Sequence, residues 1–520
     1  PRPHPPALPA AATQTGVISG GATRRAVTRL LLFHSDSLQG YTKMHTNLSR
    51  RHILMAGATT TALSVLPNAA AFAASTRRLT AATRTIVVNG EAATMFAILG
   101  ADGQHGAVLA PGERFAINLD NRCGEPTIIH WHGQTPPVAQ DGVTMTGYES
   151  PISNDAGQAY DFAPRPGTHW MHSHLGLQEQ KLMAAPLIVH TADDLRADMQ
   201  EVVLMLHDFT FKNPAEILAS LTGQNGPGSM GGMGNMTGSS APMGGMAMGK
   251  GPDLNDVDFD AYLANDRTLD DPQIVRVERS GHVRLRIING ATATAFWIST
   301  GGVPARLIAV DGDPVQPFDI SAPLPIAEGQ RIDLLLALPT GEGAYPILAQ
   351  REGDTARTGI ILATPQAKIV KVAAAAQAVT GACGITLETK LFAQTPLVNR
   401  PIDRVHQVVL AGSMTGYDWT INGRQWQNHE PLQVKQSERV ALDIFNHSMM
   451  SHPMHLHGHH FQVVAINGTA VQGAMRDTVL VPPMSRISLA FDAVNPGRWL
   501  FHCHNLYHMA AGMMTEVQYI

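Results

Sequence analysis

Cysteine is scarce in this 520-residue chain, which contains only Cys123, Cys383 and Cys503. Three cysteines exclude a disulfide-rich scaffold and a four-cysteine zinc or iron–sulfur site. Charged residues are also few, at 15% against a usual share of about a quarter, and aromatic residues reach only 6%. This composition excludes a coiled coil, and the net charge of −5 argues against a general nucleic-acid binder. Histidine is the exception, with 24 copies that need an explanation.

Long apolar runs are missing too, and the one apolar stretch near the N-terminus has the layout of an export signal. After Met44, the pair Arg50-Arg51 precedes a short apolar segment that leads to Ala71-Phe72-Ala73, a pattern typical of a cleavage site. The paired arginines resemble a twin-arginine signal. The segment is shorter than the roughly 20 residues of a membrane span, which disfavours the alternative of an anchor. We therefore predict an upstream leader and signal over residues 1–73, export to the periplasm, and no membrane insertion of the mature chain.

Three regions of the mature chain repeat one strand pattern. Apolar residues alternate with polar ones before an asparagine in each region: Phe115, Ile117 and Leu119 before Asn121; Val283, Leu285 and Ile287 before Asn289; Val440, Leu442 and Ile444 before Asn446. A period of two is typical of half-buried strands. With many Gly and Pro turns, the pattern predicts an all-β protein of three tandem Greek-key sandwich or barrel units with little helix, over residues 74–198, 199–370 and 371–520.

One segment of the second unit breaks the repeat. Residues 223–251 contain eleven glycines and six methionines but almost nothing that builds a core. We predict a flexible insertion there.

Ten of the histidines fall into four short motifs. The motifs are His130-Trp131-His132, His172-Ser173-His174, His452-Pro453-Met454-His455-Leu456-His457, and His502-Cys503-His504 continuing to His508 and Met513. They lie only in the first and third units. The matching positions of the second unit are mainly apolar, at Phe296–Ser299 and Pro346–Leu348, so this unit is expected to act as a spacer.

Strand geometry and these motifs together predict two metal centres. Side chains alternate across a strand, so each His-x-His pair points both imidazoles to the same side. Eight such histidines from two units suit a cluster of about three ions where the first and third units meet. Cys503 must point away from its neighbours, which implies a second centre. Cysteine with His452, His508 and Met513 is the ligand set of a blue-copper electron-transfer site.

A structural role or a single zinc site is the alternative interpretation of these histidines. A single His-x-His pair is more often structural or part of one zinc site, but four pairs in repeat-equivalent positions favour the cluster. Four further histidines lie off the spacing and are interpreted as structural or supporting: His169, His207, His459 and His460.

Together these motifs resemble those of the multicopper oxidases, three-domain cupredoxin proteins of the laccase and copper-tolerance type, over the whole mature chain. The resemblance implies four copper ions. It places the type 1 copper on His452, Cys503, His508 and Met513, the type 2 copper on His130 and His455, and the two type 3 coppers on His132, His172, His504 and on His174, His457, His502. It implies that Cys503, His502 and His504 carry electrons between the centres, and that Asp141 relays protons.

Two departures from the family pattern matter. Met509 stands where many members carry a second acid, which leaves the second proton donor open. Ser448 stands where cuprous oxidases place an aspartate, and only Met450 of that substrate site carries over, either as a copper contact or as an ordinary apolar residue.

The resemblance leaves three functions open. The first is a periplasmic cuprous oxidase that reduces O2 with electrons from Cu(I), binds extra Cu(I) on the Met-rich segment and also oxidises small phenols. The second is a phenol oxidase of the laccase type, and the third is a copper-sequestering protein. We expect a monomer that binds no nucleic acid. Cys123 and Cys383 either pair in the oxidising periplasm or remain free.

Overall fold

The computed structural model describes residues 76–223 and 254–520, which lie in one compact unit. The predicted export signal lies outside the described residues, as does all of the Met-rich insertion after Gly223. Strands dominate the described part, and the α-helices are short: α1 (Ala192–Arg196), α2 (Pro214–Leu221) and α3 (Leu506–Ala510). Four single turns of 3₁₀-helix occur at Val138–Gln140, Gln178–Lys181, Glu388–Lys390 and Trp426–Asn428. The prediction of an all-β protein with minor helix is confirmed. No helix within the described ranges combines the length and apolarity needed to cross a membrane.

The first pair of sheets is built from eight strands. They are β1 (Arg77–Val88), β2 (Glu91–Gly100), β3 (Ala107–Leu109), β4 (Phe115–Arg122), β5 (Ile129–His130), β6 (Gly157–Phe162), β7 (Gly167–Ser173) and β8 (Ala184–Val189). One sheet has the order β2-β1-β4-β6 and the other β3-β8-β7-β5. The alternation predicted for Phe115, Ile117 and Leu119 holds, since all three are buried between the sheets.

The second pair of sheets contains eleven strands among the residues that the structure describes. They are β9 (Gln200–Phe209), β10 (Ala261–Ala264), β11 (Ile274–Arg276), β12 (His282–Asn289), β13 (Phe296–Ser299), β14 (Ala305–Val310), β15 (Asp313–Asp319), β16 (Leu324–Ile326), β17 (Arg331–Ala337), β18 (Ala344–Arg351) and β19 (Arg357–Ala363). The sheets have the orders β10-β9-β12-β17-β14-β15 and β11-β19-β18-β13-β16. Val283, Leu285 and Ile287 of β12 lie in the core between them.

The third pair of sheets contains the last twelve strands. They are β20 (Arg404–Ser413), β21 (Asp418–Ile421), β22 (Leu432–Val434), β23 (Arg439–Asn446), β24 (His452–Leu456), β25 (Phe461–Ile466), β26 (Thr469–Ala470), β27 (Met475–Arg476), β28 (Thr478–Val481), β29 (Arg486–Asp492), β30 (Arg498–Cys503) and β31 (Met514–Tyr519). One sheet has the order β21-β20-β23-β29-β25-β26, with β27 on β25, and the other β22-β31-β30-β24-β28. Val440, Leu442 and Ile444 of β23 lie in its core.

The three sheet pairs share one topology. In each, the first long strand pairs in parallel with the strand that contains the repeated asparagine, as β1 with β4, β9 with β12, and β20 with β23. In the opposite sheet, a short strand pairs antiparallel with a later one, as β5 with β7, β13 with β18, and β24 with β30. The first sheet pair ends at Val189 and the second begins at Gln200; the second ends at Ala363 and the third begins at Arg404.

The repeated asparagine holds the corner that leads into the short strand. Asn121, Asn289 and Asn446 are fully buried. Each amide nitrogen donates to two backbone carbonyls across the corner, as Asn446 Nδ2 does to Met450 (2.7 Å) and Val481 (2.9 Å). Each side-chain oxygen accepts from the backbone N–H two residues later. Because buried carbonyls need partners, the asparagine fixes where β5, β13 and β24 begin.

Candidate metal centres

Eight histidines from the four motifs lie together between the first and third sheet pairs. They are His130, His132, His172, His174, His455, His457, His502 and His504, all at most 3% exposed. In the strand ladders His130 is opposite His172 and His455 is opposite His502. Rings from the two sheet pairs interleave, with centroids 3.8 Å apart for His130 and His457 and for His132 and His455. The two distant parts of the chain thus meet in one imidazole cluster.

Within this cluster, His130 and His455 face each other with their acceptor nitrogens. The Nδ1–H of His130 donates to the Asp141 carbonyl (2.7 Å) and that of His455 to the Asp477 carbonyl (2.9 Å). Each Nε2 therefore carries a lone pair, and the two Nε2 atoms are 3.5 Å apart. Two acceptors cannot hydrogen-bond to each other. A metal ion about 2 Å from each nitrogen fits this arrangement.

A second group consists of His174, His457 and His502. The Nε2 of His502 is 3.0 Å from Nε2 of His457 and 3.5 Å from Nε2 of His174. The Nδ1–H of His457 donates to Asp141 Oδ2 (2.8 Å), and that of His502 donates to the Cys503 carbonyl (2.9 Å). At least two lone pairs therefore meet at a point that only a cation or a proton can occupy.

A third group consists of His132, His172 and His504. Their ring centroids are 4.9 to 5.7 Å apart. His132 Nδ1, His172 Nε2 and both nitrogens of His504 have no hydrogen-bond partner among the described residues. Buried polar atoms without partners are rare in folded proteins, so these nitrogens are suited to bind a metal.

Most of the cluster histidines have lowered pKa values, which favour the neutral ring. Burial, followed by the proximity of the other rings, holds the pKa of most of them well below the ordinary value: His132, His172, His174, His455, His457 and His504. Burial likewise lowers the pKa of His502 to about 3. Neutral imidazole is the form that binds metals.

The second centre lies on the other side of β30. Cys503 Sγ is 3.6 Å from Nδ1 of His452 and 3.6 Å from Nδ1 of His508, and these two nitrogens are 3.2 Å apart. All three groups are fully buried, as is Met513, whose carbonyl accepts from the Cys503 N–H (3.1 Å). Burial raises the pKa of the Cys503 thiol well above its usual value, so a thiolate here needs a cation beside it.

Ser448, which stands where the family resemblance implies an aspartate in cuprous oxidases, contacts His452 of this second centre. Its hydroxyl oxygen is 2.8 Å from His452 Nε2 and can accept the Nε2–H. This contact leaves Nδ1 of His452 free to face the thiol. Met450 is 5% exposed and packs in the third core, which fits the apolar alternative for this residue.

Asp256 is a site residue that the sequence did not reveal. Its Oδ2 is 2.9 Å from His508 Nε2, and it accepts from the Tyr417 hydroxyl (2.7 Å) and Asn505 Nδ2 (3.1 Å). Burial alone raises its pKa, but His508, Tyr417 and Asn505 outweigh burial and lower it. Asp256 and His508 are 252 positions apart in the sequence, which explains why no local motif connects them.

The second sheet pair also supports the histidine cluster. Arg331 of β17 donates from both guanidinium nitrogens to the Asp477 carboxylate at 2.6 Å. Asp477 Oδ1 lies 3.1 Å from His132 Nε2. A side chain added at Gly329 would come within 2.9 Å of His504. The expectation that the second unit is only a spacer is therefore wrong, because its residues contact His508 of one centre and Asp477 beside His132 of the other.

The other singled-out histidines make ordinary hydrogen bonds. His169 and His207 donate to the carbonyls of Pro166 and Gly290. His459 pairs with the Tyr519 hydroxyl, and His460 lies 3.3 Å from Asp313.

The two cysteines outside the second centre do not pair. Cys123 and Cys383 are both free and buried, each in a different apolar cluster. The alternative of a disulfide between them is not realised.

Comparisons with known proteins agree with this geometry. Three family models described as multicopper oxidase match residues 82–194, 200–371 and 399–520. The multicopper oxidase MmcO of Mycobacterium tuberculosis is 33% identical over 426 residues, which cover 79% of this chain and 80% of that protein. A copper resistance protein A homolog of Pseudomonas syringae pv. tomato is 26% identical, over 85% of this chain and 91% of that protein.

Solved structures show the same fold. The multicopper oxidase Fet3p superposes with a TM-score of 0.67 at 19% identity, covering 85% of this chain and 90% of that chain. A laccase from Botrytis aclada gives a TM-score of 0.67 at 23% identity, covering 85% and 86%. The prediction of cupredoxin-like domains is confirmed, and the imidazole groups fit the four coppers that this family binds. On the family models and the mycobacterial relative together, the chain belongs to the multicopper oxidases.

Proposed function

We propose that this oxidase takes single electrons from Cu(I) and, as a second activity, from small phenols, and that it serves copper tolerance. When bound, four copper ions supply four one-electron redox centres, enough for the four electrons that convert O2 to two waters. The observation that carries the proposal is the tripeptide His502-Cys503-His504. Its thiol faces one buried ligand set, while its imidazoles belong to the cluster behind the strand.

We assign the copper ligands as the resemblance to the family implies, and the buried groups of histidine nitrogens support this assignment. The type 1 set is His452, Cys503, His508 and Met513; the type 2 set is His130 and His455; the type 3 sets are His132, His172, His504 and His174, His457, His502. Cys503, His502 and His504 provide a covalent path between the centres. A short bonded path of this kind keeps an electron inside the protein and away from water.

Asp141 is assigned as the residue that delivers protons to the cluster. Its Oδ2 accepts from His457 Nδ1 (2.8 Å), and its Oδ1 lies 3.3 Å from His130 Nδ1. The side chain is 1% exposed. Asp141 thus orients His457 through its carboxylate and His130 through its backbone carbonyl, and a carboxylate beside both rings is placed to pass protons.

Cu(I) as substrate is supported by the relatives and by the composition of one segment. Relatives include copper resistance protein A of Escherichia coli, 26% identical over 78% of this chain. Residues 223–251 supply six thioethers, which are soft ligands that favour Cu(I).

Phenol oxidation, the second candidate, is favoured by a cavity beside the type 1 set. A cavity of about 640 Å³ is lined by Tyr417, Asp418, Gln425 and Ala510. Tyr417 binds Asp256, which contacts His508. The cavity has the size of a typical small-molecule site.

Oxygen consumption by the copper-loaded protein tests these alternatives. A cuprous oxidase should consume one O2 for every four Cu(I) oxidised, whereas a copper-sequestering protein should bind Cu(I) without steady O2 uptake. Deleting residues 223–251 should lower Cu(I) oxidation and leave or raise the rate with a bulky phenol. An unchanged Cu(I) rate would exclude a role for the segment.

Export by the twin-arginine route is part of the proposal, with domains at 74–198, 199–370 and 371–520 and a monomeric mature protein. Replacing both Arg50 and Arg51 by lysine should retain the protein in the cytoplasm. N-terminal sequencing of the periplasmic protein should find cleavage after Ala73. Light scattering of the purified protein checks the monomer.

A further inference from the structure

The type 1 ligand set is sealed from solvent. His452, Cys503, His508 and Met513 are all 0% exposed. The cavity of about 640 Å³ lies nearby, but none of these four residues is among the described residues that line it. A small phenol in this cavity is therefore held away from the centre that takes its electron.

Tyr417 forms the wall between this cavity and His508. It lines the cavity and is only 2% exposed. Its hydroxyl donates to Asp256 Oδ2 (2.7 Å), and the same oxygen lies 2.9 Å from His508 Nε2. The ring centroids of Tyr417 and His508 are 5.8 Å apart. The tyrosine side chain thus reaches from the cavity to the carboxylate that contacts the type 1 histidine.

Asp256 already binds a phenol hydroxyl in this structure, that of Tyr417. The Asp256 side chain is fully buried, and its Oδ1 has no hydrogen-bond partner among the described residues. Because buried polar atoms are seldom left unpaired, this carboxylate has the capacity to accept one more donor. A free phenol has the same ring and hydroxyl as the tyrosine side chain. It would find the same acceptor if Tyr417 did not occupy the position.

The backbone of Tyr417 is strained. Its φ is +50°, in the loop 414–417 between β20 and β21. A bulky residue rarely adopts this left-handed conformation, whereas glycine adopts it readily. Strain of this kind persists where the surrounding contacts outweigh it. The contacts here are the buried ring and the hydrogen bond to Asp256, and a glycine would remove both without straining the backbone.

We propose that Tyr417 is a specificity-determining residue whose side chain occupies a phenol-binding position beside the type 1 centre and keeps free phenols in the outer cavity. The inference rests on the proposed oxidase function. A phenol that reaches Asp256 gives one electron to the type 1 centre and its hydroxyl proton to solvent, and it leaves as a phenoxyl radical. With Tyr417 in place, phenols transfer electrons only from the greater distance of the outer cavity.

The first test compares copper-loaded wild type with Tyr417→Gly. The donors are 4-methylphenol, which has the shape of the lost side chain, and ferrocyanide, which has no hydroxyl to donate. The ratio of their kcat/KM values should rise about tenfold or more in the variant, mainly through a lower KM for 4-methylphenol. A new hydrogen bond to a charged group strengthens binding by at least about this factor. Steady-state O2 consumption measures the ratio.

A second test measures binding without turnover. In the fully reduced enzyme under anaerobic conditions, no electron can leave the phenol. Titration with 4-fluorophenol, followed by fluorine NMR, should show binding at least about tenfold tighter in Tyr417→Gly than in wild type. The analogue 4-fluorotoluene, which lacks the hydroxyl, should gain less. A general loosening of the structure would strengthen the binding of both compounds alike.

Three further variants complete the design. Tyr417→Phe keeps the ring in place and removes only the hydroxyl, so its donor ratio should not rise. Tyr148→Gly removes a tyrosine that is 44% exposed and should retain the wild-type ratio. Asparagine is small and also tolerates positive φ, so Tyr417→Asn replaces Tyr417→Gly if the glycine variant misfolds and loses its thiolate band.

The outcomes separate this inference from the proposed function. An unchanged donor ratio in folded Tyr417→Gly or Tyr417→Asn would overturn the role of Tyr417. An equal rise in Tyr417→Phe, or equal gains in binding for 4-fluorophenol and 4-fluorotoluene, would overturn it as well. A copper-loaded wild type that consumes no O2 with any donor would reject the proposed function, and the binding titration would still show whether Tyr417 occupies a phenol site.

Discussion

The middle and third sheet pairs use the same strand ladder for different purposes. In the third pair, β24 and β30 place His455 opposite His502. In the middle pair, the equivalent strands β13 and β18 place Ile298 opposite Ala349, and both are buried in an apolar core. The ladder tolerates either choice because backbone hydrogen bonds do not depend on the side chains. Whether this ladder carries a metal centre therefore depends on a few side chains, since the backbone scaffold is the same.

The middle and third sheet pairs also contribute to the two metal centres in different ways. The third pair supplies its clustered histidines and Cys503 from β24, β30 and the segments that follow them, whereas the middle pair supplies buried charges and close contacts from its loops and strand ends. Asp256 lies beside His508, and Arg331 neutralises Asp477 next to His132. Four predictions, from the largest expected effect to the smallest, test this difference between the two sheet pairs.

Replacing the thiol should have the largest effect. Cys503→Ser should abolish the thiolate absorption band and O2 consumption, because the thiolate is both a ligand and part of the electron path. Visible spectroscopy and an oxygen electrode measure the two losses. The control Cys383→Ser removes a buried thiol that packs against the middle sheet pair, and it should keep both properties. Retention of either property by Cys503→Ser would reject the type 1 assignment.

Breaking the charge pair between the regions should destabilise the protein. Arg331→Met leaves the fully buried Asp477 without its cation, and removing one partner of a buried pair costs about 3–5 kcal/mol. Chemical denaturation measures this loss. Arg306→Met, in an exposed pair with Asp319 on the same sheet, should cost less than about 1 kcal/mol. Equal costs for the two variants would contradict an anchoring role of Arg331.

A buried carboxyl of the middle region should make stability depend on pH. Burial raises the pKa of Glu352 to about 7. A raised folded-state pKa favours folding at low pH, and this advantage is lost as pH rises through about 7. Glu352→Gln should therefore be more stable than wild type at pH 8, by about 3 kcal/mol, with little gain at pH 4. Thermal unfolding at both pH values measures this, with the exposed Glu278→Gln as control; an equal gain at both would argue against ionisation as the cause.

Removing the aspartate beside His508 should slow electron uptake from substrate. Asp256→Asn should lower the rate of type 1 reduction by about 10- to 100-fold, the usual effect of losing a residue that orients a metal ligand. Stopped-flow bleaching of the thiolate band measures it. Asp258→Asn, two residues away with its side chain 98% exposed, should react at the wild-type rate. A normal rate in Asp256→Asn would mean that the middle region does not tune this centre.

Local patterns were enough to predict the strands and the ligand motifs. The alternation before Asn121, Asn289 and Asn446 matches buried strand faces in all three sheet pairs. The opposite facing of Cys503 and its two histidine neighbours also follows from strand geometry. Asp256 and Arg331 were not predicted as site residues, because each contacts a partner that no short motif links to it. For the same reason, the sequence predicted that the second unit is only a spacer.

The sequence by itself determined which side of a strand each histidine and the cysteine face, because side chains alternate on extended backbone whatever surrounds it. Only the tertiary structure decided which nitrogens meet, which buried nitrogens lack partners, and which carboxyls lie beside them. These properties depend on contacts between residues that are hundreds of positions apart. They also depend on the removal of water that packing achieves, which sets the protonation of the buried groups.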